Sequence, residues 1–192
     1  MKISLKLLKA IKFATKTHDV YQKQKRKGKD ISYIVHPLTT GLCLSQVKAD
    51  EDVVIAGILH DTIEDSVEHK KVTPEMLKER FGQKVADLVV SVTETDKKLS
   101  WPERKKIALN DIASFSKESI LVKSADVLSN NYELIDDYAR DKDKVFERFD
   151  ASKEDKIQNT LNVIAALIKN WPENPFREDL DFVAEQFRFM NK

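Results

Sequence analysis

Apolar residues recur along this chain every three or four positions in one stretch after another, separated by short polar breaks, and alternation of period two never persists. The pattern predicts an all-α protein, a single bundle of roughly eight to eleven helices. Leu7, Leu8, Ile11 and Ala14 share one face of a first helix over 3–19. A basic loop follows, Lys23-Gln24-Lys25-Arg26-Lys27-Gly28-Lys29-Asp30. A second helix opens near His36-Pro37, where proline suits the first turn because its missing N–H has no helical use there. Glu51 and Asp52 complement the dipole at the start of a third helix, which carries Val53, Val54, Ile55, Ile58 and Leu59. Thr73-Pro74-Glu75 starts a short helix that stops before Phe81-Gly82. Further helices are predicted over 83–93, 102–114, 117–136, 141–149, 153–170 and 176–190. No repeat or low-complexity linker interrupts the series, so one domain over 1–192 is the simplest organisation, with its motifs in 1–136 and further helices over 141–192.

Composition narrows the class. Hydrophobic residues make up 41% and charged residues 34% of the chain, which excludes a disordered polymer and a membrane bundle. With 33 bases against 32 acids, no net field steers the protein to nucleic acid or anionic lipid. The single cysteine, Cys43, cannot close an internal disulfide; this fits a reducing, cytoplasmic setting, with the thiol buried and inert. Lys6, Lys9 and Lys12 interrupt the N-terminal apolar residues and exclude a secretory h-region. No apolar stretch approaches the roughly 20 residues that cross a bilayer, so no membrane is expected.

The candidate chemistry begins where the third helix ends. His60-Asp61-Thr62-Ile63-Glu64-Asp65 places an imidazole and three carboxylates directly after an apolar run. His60 and Glu64, like Asp61 and Asp65, are four apart and are predicted to line one helical face. Imidazole beside carboxylate suits a borderline divalent metal; the plain alternative is a solvated helix end. His36 follows Tyr33-Ile34-Val35, and Asp126 interrupts the apolar run Ile120 to Leu128. A shared metal would offset the cost of that charge, as would simple pairing with Lys123.

In this order the residues resemble the HD superfamily of metal-dependent phosphohydrolases, and in particular the hydrolase domain of RelA/SpoT enzymes and the stand-alone small alarmone hydrolases. The matching words are Lys25-Arg26-Lys27-Gly28, Tyr33-Ile34-Val35-His36-Pro37, Ile58-Leu59-His60-Asp61-Thr62-Ile63-Glu64-Asp65, Phe81-Gly82, Glu103-Arg104-Lys105, and Lys123-Ser124-Ala125-Asp126 with Asn130. The resemblance implies that His36, His60, Asp61 and Asp126 ligate one divalent ion, Mn²⁺, while Glu64 and Asp65 position or deprotonate the attacking water. It implies substrate contacts for Arg26, Lys27, Lys97 and Asn130, and hydrolysis of a guanosine or adenosine 3′-pyrophosphate nucleotide with release of pyrophosphate.

The chain departs from the resemblance in three places. His18 stands further from the basic loop than the pattern has it and reads as structural or exposed; Ser124 and Ser129 replace more typical residues; and Ser152 to Thr160 carries no aromatic residue. The last change bears on the nucleotide pocket and keeps two alternatives open: another nucleotide or phosphorylated cofactor such as NADPH, or a regulatory module that binds nucleotide without turnover. A complete ligand and acid set argues against the latter. The aromatic-poor basic loop gives no support for sequence-specific nucleic-acid binding. A homo-oligomer and a toxin-like synthetase partner are both compatible with the sequence.

Overall fold

The structure is a computed structural model that describes residues 4–94 and 98–192. Lys97, a predicted substrate contact, lies outside the described residues. Ten α-helices and several short 3₁₀ or π turns account for the described chain, and its sole strand-like pairing there is an isolated antiparallel bridge between Lys25 and Ser32. The all-α expectation holds. Contacts divide the chain into two compact units, Met1–Thr95 and Asp96–Lys192.

The first unit is built around α3 (Glu51–Leu59), in which every residue from Val53 to Leu59 is buried. Such a helix needs neighbours on all sides. It has them in α1 (Leu5–Thr15), α2 (Val35–Gln46) and α6 (Gln83–Val92), the last paired with α5 (Pro74–Phe81). Glycines set the approach of α2 to α3. A Cβ added at Gly41 would lie 2.5 Å from Ile58 Cγ1, and one at Gly57 would lie 2.3 Å from Leu44 Cδ1.

Three expectations for this unit are corrected. The buried stripe of α1 is Leu7, Ala10 and Ala14, whereas Leu8 is exposed, because small alanines let α1 lie close to α3. Cys43 is only half-buried. The first helix also changes hand-hold at Lys16–Tyr21, a π turn in which Gln22 N–H reaches back to the Thr17 carbonyl at 3.1 Å.

The second unit packs α7 (Trp101–Asp111), α8 (Lys117–Asp141), α9 (Lys153–Asn170) and α10 (Arg177–Met190). Serines 116 and 152 start α8 and α9 by accepting from the N–H groups of Ser119 and Asp155, each at 3.0 Å. α8 runs past its expected end to Asp141 and stops where Lys142 takes φ +53°. The predicted helix over 141–149 is instead a 3₁₀ segment, Lys142–Arg148. Ser124 has a packing role: its hydroxyl accepts from the buried Asn174 Nδ2 at 2.8 Å, and Asn174 Oδ1 accepts from Phe176 N–H at 3.0 Å, fixing the turn into α10.

Candidate metal centre

The predicted continuous helix through Glu64 does not form. α3 stops at Leu59, His60 and Asp61 make a turn, and α4 (Thr62–Asp65) begins afresh. The Thr62 hydroxyl donates to the Leu59 carbonyl at 2.6 Å and competes for an acceptor the helix would use. Asp61 sits at φ −91°, ψ −4°, the sparsely allowed bridge region common among active-site residues. The break turns Asp61 back towards the two histidines.

His36, from the first turn of α2, and His60, just after α3, are both buried, with Nε2 atoms 3.2 Å apart. Asp61 Oδ2 lies 3.0 Å from His60 Nε2 and 3.6 Å from His36 Nε2. Donors about 2.1 Å from one ion, at angles of about 90–120°, stand about 3.0–3.6 Å from each other. The three atoms therefore have the spacing of a shared coordination sphere. His60 Nδ1 donates to the Gly57 carbonyl at 2.8 Å, which leaves Nε2 as the ring's lone-pair atom and fixes its plane. The Tyr33 hydroxyl donates to Asp61 Oδ2 at 2.5 Å, orienting the carboxylate. Two imidazoles and a carboxylate fit a borderline divalent ion such as manganese, iron or zinc.

Glu64 and Asp65, on α4, are half-buried one turn beyond. Asp65 Oδ2 accepts from Gln24 Nε2 at 2.8 Å, and Gln24 Oε1 lies 3.0 Å from His18 Nδ1. His18 is fully buried, which corrects the exposed alternative. Neither Gln24 nor this contact could be read from local pattern, because 41 residues separate Gln24 from Asp65. The basic loop is a tight turn: Arg26 N–H donates to the Ile31 carbonyl at 2.8 Å and Gly28 takes φ +74°. Arg26 places its guanidinium 5.5 Å from the Tyr33 ring centroid, whereas Lys27 is exposed.

In the second unit, Asp126 on α8 accepts from Lys123 Nζ at 2.8 Å and from Asn130 Nδ2 at 2.7 Å. The pairing with Lys123 is thus present, and Asn130, predicted to contact substrate, here also orients Asp126. Sequence reading missed Lys156 on α9. Burial first, and then the Lys105 charge, pull its ammonium down to about 8, with Lys123 and Arg148 acting the same way and Asp126 opposing them. Lys156 thus shares its surroundings with Lys105, Lys123 and Arg148 and with the opposing carboxylate of Asp126. An aromatic partner comes from outside the stretch that lacks one: Lys156 Nζ lies 4.9 Å from the Phe149 ring centroid.

Comparison with known proteins places the chain in a class. A family model described as HD domain matches residues 10–156, and the chain belongs to that family. More particular likenesses follow. The chain is 32% identical over 130 residues to the guanosine-3′,5′-bis(diphosphate) 3′-pyrophosphohydrolase MESH1 of Drosophila melanogaster, covering 66% of this chain and 68% of that protein. It is 35% identical over 126 residues to MESH1 of Xenopus tropicalis, covering 65% and 66%. A protein of Aquifex aeolicus named guanosine-3′,5′-bis(diphosphate) 3′-pyrophosphohydrolase is 43% identical over 89 residues, 46% of this chain but only 12% of that much longer relative. The chain therefore spans a small part of some relatives and about two thirds of others. Among solved structures, a metazoan ortholog of SpoT that hydrolyses ppGpp shares the fold, with TM-score 0.75, 24% identity, and 100% and 98% of the two chains covered. A crystal structure from Listeria monocytogenes EGD-e superposes with TM-score 0.70 at 28% identity, covering 82% and 99%.

Proposed function

We propose that this chain is a metal-dependent phosphohydrolase that removes pyrophosphate from the 3′ position of guanosine-3′,5′-bis(diphosphate) or its adenosine counterpart. The observation that carries the reading is the cluster of His36, His60 and Asp61 donor atoms at 3.0–3.6 Å, with two further acids on the next turn. Names of the relatives supply the substrate class.

In this reading His36, His60, Asp61 and Asp126 hold one divalent ion, Mn²⁺. Such an ion, when bound, lowers the pKa of water and offsets charge on phosphoryl oxygens. Tyr33 and the Gly57 carbonyl keep Asp61 and His60 in ligating orientation. Glu64 and Asp65 orient a water and take its proton as its oxygen bonds to phosphorus. The bond from phosphorus to the 3′ oxygen breaks, pyrophosphate leaves, and the 3′ oxygen takes up a proton, giving the nucleoside 5′-diphosphate. Arg26, Lys27, Lys97 and Asn130 hold the nucleotide.

The test is to offer the purified chain with Mn²⁺ ppGpp, ppApp, NADPH and nucleoside monophosphates, and to resolve products by anion exchange. Pyrophosphate from ppGpp or ppApp alone is expected. Phosphate from NADPH or a monophosphate would move the substrate to another nucleotide monoester or a phosphorylated cofactor, an alternative that the missing aromatic between Ser152 and Thr160 keeps open. Nucleotide bound without turnover of any substrate would overturn the assignment as an enzyme.

A further inference from the structure

The departure at His18 has a structural counterpart. The π turn at Lys16–Tyr21 carries the fully buried His18, and Gln24, six residues on, folds back onto it. Gln24 is gripped on several sides. Its backbone N–H donates to the His18 carbonyl at 2.8 Å, and its own carbonyl accepts from Tyr33 N–H at 3.0 Å. Its side chain bridges His18 Nδ1, at 3.0 Å, and Asp65 Oδ2, at 2.8 Å. The Tyr33 ring packs on the His18 ring with centroids 5.0 Å apart, while its hydroxyl holds Asp61 at 2.5 Å.

Hydrogen-bond chemistry fixes the direction of this bridge. An ionised carboxylate only accepts, so Gln24 presents its NH₂ to Asp65 and its oxygen to His18. The His18 proton must then reside on Nδ1. That leaves Nε2 buried without a hydrogen-bond partner. An unsatisfied buried ring nitrogen costs stability that a leucine of similar size would not. The imidazole is kept for the proton on Nδ1, which locks the Gln24 amide against flipping.

The geometry points to Gln24, fixed by His18, as a positioning residue that holds the Asp65 carboxylate in the orientation from which it works on the attacking water. This rests on the role proposed above for Asp65.

The test is steady-state hydrolysis of ppGpp by the full chain with Mn²⁺, together with Mn²⁺ affinity by electron paramagnetic resonance and thermal unfolding. Gln24→Met keeps length and removes both hydrogen bonds; kcat is expected to fall by about 10–100-fold, the loss of one hydrogen bond to a charged group, with KM and Mn²⁺ affinity within about threefold. His18→Asn retains an N–H near the position of Nδ1 and is expected to keep most of the activity, whereas His18→Leu should behave like Gln24→Met. Combining Gln24→Met with Asp65→Asn should cost no more than Asp65→Asn alone, since both act through one carboxylate. Additive losses, a fall confined to KM or Mn²⁺ affinity, or wild-type kcat in Gln24→Met while Asp65→Asn is inactive would each overturn the inference. Full activity of Asp65→Asn would instead remove the role of Asp65 itself, an outcome separable from the others.

Discussion

Asp126 accepts from two donors on its own helix, yet a carboxylate among Val122, Ala125, Val127 and Leu128 is an expensive way to satisfy a lysine. In the metal-binding role proposed above it needs its negative charge, which asparagine lacks. Asp126→Asn is therefore expected to lower ppGpp turnover by about a thousandfold or more, with circular dichroism unchanged; activity near wild type would remove it from the ligand set. Lys156 makes a prediction about stability. Its folded pKa, about 8, lies below the value of about 10.4 for a free lysine. The unfolded chain thus binds that proton more tightly, and stability rises with pH between about 8 and about 10.4. Urea denaturation across that range should show the rise, up to about 3 kcal/mol if nothing else titrates. Lys156→Met should abolish that increment and stabilise the protein at pH 7.

At the scale of elements, the pairing of α2 with α3 governs the distance between His36 and His60, which sit at the start of one helix and just past the end of the other. Gly41 permits the approach. In Gly41→Val the added Cβ would meet buried Ile58 Cγ1 at 2.5 Å, with further methyls to place. Overpacking of this kind costs about 1–3 kcal/mol, readable as a lower urea midpoint, and Mn²⁺ affinity should fall with it because the ligand pair is spread. A variant equally stable and equally tight for Mn²⁺ would show that α2 and α3 can separate without disturbing the site. Many helix positions were legible in sequence: α5, α6, α9 and α10 fall within a residue or so of expectation, because caps and apolar periodicity are local signals. The turn at His60–Asp61 and the 3₁₀ segment after Lys142 were not, since each depends on a backbone choice that periodicity does not encode.

For the whole molecule, an even balance of 33 bases and 32 acids means that capture of an anionic substrate depends on local groups and not on a global field. No helix among the described residues is long and apolar enough to cross a membrane. If the donor cluster holds its ion only in the folded chain, Mn²⁺ at about 100 times its Kd should add about 2.7 kcal/mol to stability. A rise in Tm with Mn²⁺ is expected, reversed by chelation and largely lost in His60→Ala. An unchanged Tm in the wild-type chain would argue against a folded-state metal site.

The sequence by itself determined the fold class, most helix limits and the types of residue able to bind a metal, because helical periodicity, capping and ligand chemistry are written in neighbouring residues. Only the tertiary structure decided that Tyr33 steers Asp61, that Gln24 joins His18 to Asp65, that Ser124 serves Asn174, and that burial lowers the Lys156 ammonium to about 8. Each of these depends on groups remote along the chain meeting within hydrogen-bond reach, or on burial that acquires a value only when the helices pack.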